Sequence, residues 1–289
     1  MSQFTDYGEN KIADYFRGQG LGGLPASWSI ALGSTASDGS FTELSGTGYG
    51  RFGVTRSLAN FAGTQGVATT LASTGSSHST SNNTLWDFGT SGGAWGTATH
   101  VGFFDTGSGG NCWMWLPLAT AIPVASSGVA VSLAIGAVAL TLGLAGGMTD
   151  YCANKLIDLI FRAQAYTWPA NLYAALFTVQ PTNAGGGTEV AGGSYARAAI
   201  ASSFAAWSGT QAAGSTAASS GTGGRISNNA PLTFPVPPAS WGTAVAEGLI
   251  DASTSGNLMF WGVLASPRTI GAGSSPQMHA ADSLSITLA

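Results

Sequence analysis

The chain has 289 residues, enough for two domains of ordinary size, and its 44% apolar content is that of a globular protein. Nine Lys+Arg and 13 Asp+Glu make only 8% charged residues where a soluble domain carries about 25%, while 43 glycines are about twice the usual share. This excludes the basic footprint that holds nucleic acid by its phosphates, excludes a charge-driven disordered tail, and leaves little material for acid–base chemistry.

In chain order, the opening MSQFTDYGENK lacks the basic stretch and apolar core of a secretory signal, so export by that route is not expected. Thr5-Asp6 caps a short helix in which Ile12 and Phe16, four residues apart, bury one stripe. A turn at Pro25 follows, because the residue before proline avoids helix. Short apolar runs split by Gly, Asn, Ser and Thr come next: SWSIALG, YGRFGVT, LWDFG, THVGFFD, CWMWLPL and AVALTLG. Their lengths predict about six or seven antiparallel strands, most naturally a sandwich. Val129 to Met148 is long and apolar enough to span a bilayer. However, Val138, Leu140 and Leu142 alternate with Ala137, Ala139 and Thr141 in the period of a strand, and no basic cluster flanks the segment. From Thr149 the order begins again. A helix capped by Thr149-Asp150 and carrying Leu156 and Ile160 leads to a turn at Pro169, then to LYAALFT, YARAAIA, LTFPV, AVAEGLI, LMFWGVL and SLSITLA.

The second half is a copy of the first. TDYGENKIAD at residues 5–14 returns as TDYCANKLID at residues 149–158, and from Thr42 onward the two halves align without a gap at an offset of 146. Trp95-Gly96-Thr97-Ala98 then meets Trp241-Gly242-Thr243-Ala244, and Gly110-Asn111 meets Gly256-Asn257. The uncharged stretch falls opposite SSPQMHAADSLSITLA, whose Pro276 and Asp282 have no place in a bilayer, so the shared element is a strand and no membrane insertion is expected. The fold expected is mainly β: two tandem homologous antiparallel β-sandwich domains, each preceded by a short N-terminal α-helix. Residues 1–143 form the first, 144–148 a linker and 149–289 the second.

Duplication shows which side chains the architecture keeps. Six charged positions recur: Lys11 with Lys155, Asp14 with Asp158, Arg17 with Arg162, Glu43 with Glu189, Arg51 with Arg197, and Asp105 with Asp251. Helix-surface pairs and strand-edge ion pairs are the commoner cause of such pairing. Arg51 and Arg197 each follow a tyrosine by two residues at the start of a strand, where the guanidinium would clamp Glu43 or Glu189 across a hairpin. Asn111 with Asn257, Trp95 with Trp241 and Trp115 with Trp261 complete the set of paired structural residues. The other five tryptophans face Leu, Met or Phe, as packing residues do.

Catalytic candidates are lacking. His78, His100 and His279 fall opposite Gly224, Ala246 and Leu133, with no nucleophile or orienting carboxylate beside them. Cys112 and Cys152 stand opposite Leu258 and Gly8, no cluster has metal-ligand spacing, and no glycine motif opens a helix as a phosphate cradle does. No catalytic, cofactor-binding or metal residue is therefore assigned, and no cofactor is expected.

The order P-A-x-L-Y-x-A-L-F-T (Pro169–Thr178), T-E-V-x-G-G-x-Y-A-R (Thr188–Arg197), T-F-P (Thr233–Pro235), W-G-T (Trp241–Thr243) and G-N-L-x-F-W-G (Gly256–Gly262) resembles small tailed-bacteriophage virion proteins labelled tail-fibre-like. The first repeat is a diverged copy that keeps Glu43, Tyr49, Arg51, Trp95 and Asn111. The resemblance implies a non-enzymatic structural protein of the virion, on the tail, in a fibre or decorating the capsid, assembled in the bacterial cytoplasm. It acts by packing against other virion proteins and against copies of itself, as a trimer or another closed oligomer. Low charge suits such a part, since obligate interfaces are more apolar than free surface. Fusing two copies would let one chain occupy two quasi-equivalent sites, or let one copy anchor while the diverged copy presents a new face. The alternative is a host-receptor or glycan-binding module acting through the unmatched loops Thr69–Ser81 and Ser215–Arg225.

Overall fold

The structure is a computed structural model that describes residues 4–142, 144–145, 147–274 and 278–288. Gly143 and Gly146, at and within the expected linker, and Pro276 lie outside the described residues. The chain is mainly β; among the described residues there are two helices, and all strand pairs are antiparallel.

In chain order the first copy contains α1 (Asp6–Phe16), β1 (Ser27–Ser37), β2 (Ser40–Glu43), β3 (Phe52–Thr55), β4 (Ser79–Ser81), β5 (Trp86–Thr90), β6 (Gly96–Phe104), β7 (Cys112–Val124), β8 (Ala130–Leu133) and β9 (Ala139–Thr141). Then come β10 (Leu144–Ala145), α2 (Asp150–Arg162), β11 (Asn171–Val179), β12 (Thr188–Glu189), β13 (Ala198–Ala201), β14 (Arg225–Ser227), β15 (Leu232–Thr233), β16 (Gly242–Ile250), β17 (Leu258–Ile270), β18 (Met278–His279) and β19 (Ser285–Leu288). Each apolar run of the sequence lies on a strand or beside one. The strands without such a run are short: β2, β4 and β8 in the first copy and β10, β12, β14 and β18 in the second.

The chain folds into two compact units. Unit 1 takes Met1–Lys11, Leu21–Gly143 and Asn154–Tyr166, and unit 2 takes Ile12–Gly20, Leu144–Ala153 and Thr167–Ala289. Each unit thus owns the strands of one repeat, the first half of that repeat's helix and the second half of the other repeat's helix.

In unit 1 a five-stranded sheet runs β2-β1-β6-β7, with β3 pairing the first part of β1, and the pairs β4-β9 and β5-β8 form smaller sheets. Unit 2 repeats the plan: β12-β11-β16-β17 with β13 on β11, then β10-β19-β14 and β15-β18. A bulge interrupts β6·β7 between Ala98 and His100, and β16·β17 between Ala244 and Ala246. At 13 residues each, β7 and β17 are the long edge strands.

The helix starts follow from their threonines. Thr5 Oγ accepts the Gly8 N–H at 3.2 Å, and Thr149 Oγ accepts the Cys152 N–H at 3.3 Å, satisfying an orphan donor of the first turn. The same hydroxyls donate to carbonyls of the edge strand, Thr5 to Cys112 at 2.6 Å and Thr149 to Leu258 at 2.5 Å, fixing each helix entry onto its own repeat. Helix α1 stops at Gly18, which takes φ +79° and sits so near the Ser202 carbonyl that no Cβ fits. In unit 1, Phe161 packs among Trp28, Phe61 and Phe103 at ring separations of 5.6–6.4 Å. In unit 2, Phe16 packs on Trp168 at 4.6 Å and Phe260 at 5.5 Å. Burying each such ring contributes about 1.5–3 kcal/mol.

Candidate functional site

The paired residues assemble into the same polar device in both units. In unit 1 the β2 end places Glu43 opposite Arg51: Nε donates to Oε1 at 2.9 Å and Nη2 to Oε2 at 2.6 Å, a bidentate pair. Tyr49 Oη donates to Glu43 Oε1 at 3.0 Å and accepts the Leu32 N–H at 3.0 Å. Arg51 Nη1 reaches the Thr106 and Gly109 carbonyls at 2.8 and 2.7 Å, and its guanidinium lies 3.7 Å from the centre of the Phe104 ring. The loop so held is closed by Asp105, which accepts the Asn111 N–H and side-chain amide, both at 2.8 Å.

Unit 2 reproduces these hydrogen bonds, with Ile250 in the place of Phe104. Arg197 pairs with Glu189 at 2.8 and 2.7 Å and donates to the Ala252 and Ser255 carbonyls, both at 2.6 Å. Tyr195 Oη donates to Glu189 at 3.1 Å, and Asp251 accepts from Asn257 at 2.6 and 2.8 Å. Trp95 and Trp241 stand edge-on to Tyr49 and Tyr195 at 5.3 and 5.1 Å, and donate to the Thr47 and Gly193 carbonyls at 2.9 and 3.0 Å. Trp115 and Trp261 part company: Trp261 donates to Asn183 Oδ1 at 3.1 Å, whereas Trp115 packs edge-on to His100 at 5.6 Å.

Electrostatics reflects the burial and pairing of these groups. Hydrogen bonding to Glu189 raises the Arg197 pKa, and burial pushes both tyrosine hydroxyls well above their usual range. These donors and acceptors are spent on one another, which fixes a hairpin and a loop. Beside each device lies a cleft at the helix start: 410 Å³ lined by Asp6, Tyr7, Asp38 and Asn111 in unit 1, and 380 Å³ lined by Tyr151, Asn183, Glu189 and Asn257 in unit 2. Cys112 and Cys152 are free thiols, both with pKa raised by burial. Among the described residues no group of three metal-ligating side chains occurs, and no helix is long and apolar enough to cross a membrane.

Two further residues, read in the sequence as helix-surface charges, are not on the surface. Arg17 and Arg162 are completely buried. In unit 1 Arg162 donates to the Phe61, Thr69 and Leu71 carbonyls at 2.9, 3.2 and 2.6 Å, to Ser73 Oγ at 3.0 Å and to Asp158 at 2.6 Å. In unit 2 Arg17 donates to the Trp207, Ser215 and Ala217 carbonyls at 3.0, 3.2 and 2.9 Å, and to Asp14 at 2.8 Å. The carboxylates turn back on the same loops: Asp158 accepts the Ser73 N–H at 2.9 Å, and Asp14 the Ser219 N–H at 3.1 Å. The two loops expected to be free for a receptor thus spend backbone groups on these buried pairs. The sequence signal was present, since Ser73 and Gly75 recur as Ser219 and Gly221 at the common offset.

The family described as Podophage GP4 fiber I protein gp80 matches residues 3–141 and again residues 147–287. The chain belongs to this family. It carries the gp80 fold twice in tandem, and it is a structural component of the phage virion that associates with other virion proteins. The curated proteins contain no match to it. The devices around Arg51 and Arg197 and the clasps around Arg17 and Arg162 each occur once per gp80 copy.

Proposed function

We propose that this double gp80 chain serves the fibre by subunit packing, without catalysis, and that unit 1 is the half packed against neighbouring virion subunits in a closed homo-oligomer. The observation that carries this reading is the outer part of β7. Across its bulge, Pro117–Pro123 has no charged side chain, and Ala119, Thr120 and Ala121, which lie inside the bulge between Pro117 and Ile122, are exposed. Pro117, Pro123 and the bulge keep this edge from adding a further strand, so its uncharged, exposed side chains offer a surface for packing rather than a ladder to extend. Exposed Leu71, Leu85 and Ile135 add apolar surface to the same unit. In unit 2 the corresponding stretch carries Arg268, whose charge such packing would have to bury. The anchoring copy is then the diverged first one.

The test is a charged edge. Ala119→Lys with Ala121→Lys leaves the core untouched, so the melting temperature is expected to hold while multi-angle light scattering reports loss of the oligomer and complemented phage lose the protein from purified particles. Unaltered assembly of the doubly charged chain would sink the reading.

A further inference from the structure

The two copies differ sharply at one place inside the sheets. Val101 and Leu133 of unit 1 are 0% and 4% exposed, and with Ile122 they keep that region of the fold apolar. At the common offset, unit 2 has Glu247, His279 and Arg268 instead. All three substitutions converge on one cavity of 320 Å³, whose walls are otherwise apolar apart from Ser266 and include Leu176, Phe234 and Pro267.

Its polar groups are incompletely used. His279 Nε2 lies 2.9 Å from Glu247 Oε2, with the side chains 16% and 24% exposed. Yet Oε2, itself out of contact with solvent, receives no well-aligned hydrogen bond. The contact brings the two polar groups together by distance but leaves a buried acceptor without a well-aligned donor. Arg268 is exposed at the rim, and among the described residues it is the one arginine without a carboxylate or carbonyl partner. Unit 1 completes the same sheets with Val and Leu, so the fold does not require these groups. Placing a polar pair with an unsatisfied buried acceptor where apolar side chains serve is neutral at best for stability.

We infer that this cavity of unit 2 binds a small hydroxylated carboxylate. The planar guanidinium of Arg268 matches a carboxylate bidentately, the Glu247 carboxylate and the His279 imidazole at the wall offer polar partners to a ligand hydroxyl, and the apolar walls take one face of the carbon skeleton. Glu247 disfavours doubly charged phosphate or sulfate esters at the same place, because like charges repel. The volume sits at the small end of the roughly 300–1,000 Å³ range of ligand pockets, which fits one sugar-sized ring or a short chain. Two sources share this chemistry: a uronic-acid unit of a surface polysaccharide and a free acyclic hydroxy acid. The inference stands independently of the packing reading, which concerns unit 1.

The experiment is calorimetric and saturation-transfer NMR titration of the full chain with sodium glucuronate, sodium gluconate and glucose. Saturable millimolar binding of an acid, with none of glucose, is expected, and the stronger of the two acids tells ring from chain. Arg268→Ile weakens that binding by about tenfold or more. Glu247→Val with His279→Leu restores the residues of unit 1, so it folds at least as stably and also loses binding. Absence of saturable binding by either acid, equal binding of glucose, or affinity unchanged in Arg268→Ile would overturn the inference.

Discussion

Arg51 and Arg197 are held by four acceptor groups each: two carboxylate oxygens and two loop carbonyls. A lysine has no fork and cannot reach the carboxylate and the loop together. Arg51→Lys or Arg197→Lys is therefore expected to destabilise its own unit by about 1.5–3 kcal/mol, the range for hydrogen bonds to charged groups. Chemical denaturation checks the magnitude, and hydrogen exchange checks that Thr106–Gly109 or Ala252–Ser255 loses protection. Cys112 gives a second test. Burial pushes its thiol up to about 12, so the folded state keeps a proton that the unfolded chain releases near pH 9. Its contribution to stability is full below about pH 9 and is lost as pH rises towards 12. Titrating unfolding across that interval should show a steeper fall for the natural chain than for Cys112→Ala. A native thiol that reacts rapidly with a disulfide reagent at pH 8 would contradict the burial.

At the scale of elements, the strands were legible and the clasps were not. Runs such as SWSIALG and LMFWGVL carry their own apolar signal, and duplication let one copy correct the other. β2, β4 and β12 are built mainly of Ser, Thr and Glu and exist because a neighbouring strand offers its edge, which no local pattern records. The loops after Thr64 and Thr210 read as unmatched for a similar reason. Their order comes from an arginine about 90 residues downstream of one loop and about 200 upstream of the other. Within each loop the internal bonds match, with Gly75 N–H on Thr64 Oγ at 2.9 Å and Gly221 N–H on Thr210 Oγ at 3.1 Å. Arg162→Met strands Asp158, whose side chain is 9% exposed, in unit 1 without its cation. A loss of about 3–5 kcal/mol is expected, as for breaking a buried pair. Hydrogen exchange should place the damage at Thr69–Ser73, a segment of the first repeat, although the substitution lies in the second. Exchange confined to Thr149–Tyr166 would show that the clasp holds nothing.

At the scale of the whole molecule, the repeat in sequence and the unit in space are different things. The alignment cuts the chain near residue 146, yet unit 1 includes Asn154–Tyr166 and unit 2 includes Ile12–Gly20. Each unit's aromatic interior is closed by one of these helix ends, through Phe161 in unit 1 and Phe16 in unit 2, and each buried arginine arrives on the same segment. A polypeptide ending at 146 therefore has the strands of unit 1 without the ring and guanidinium that complete them, and one starting at 147 has the complementary deficit. Losing a buried Phe alone is worth about 3–5 kcal/mol, a large share of the stability of an ordinary domain. Expressed separately, residues 1–146 and 147–289 are expected to melt well below the full chain or to self-associate by exchanging helices. Mixed, they should form a one-to-one complex that recovers the melting temperature of the intact protein, read by calorimetry and native mass spectrometry. Two stable monomers that ignore each other would refute the exchange. The scarcity of charge takes its meaning from the same arrangement, since four of the few ionisable side chains, Asp14, Arg17, Asp158 and Arg162, are spent within the units themselves.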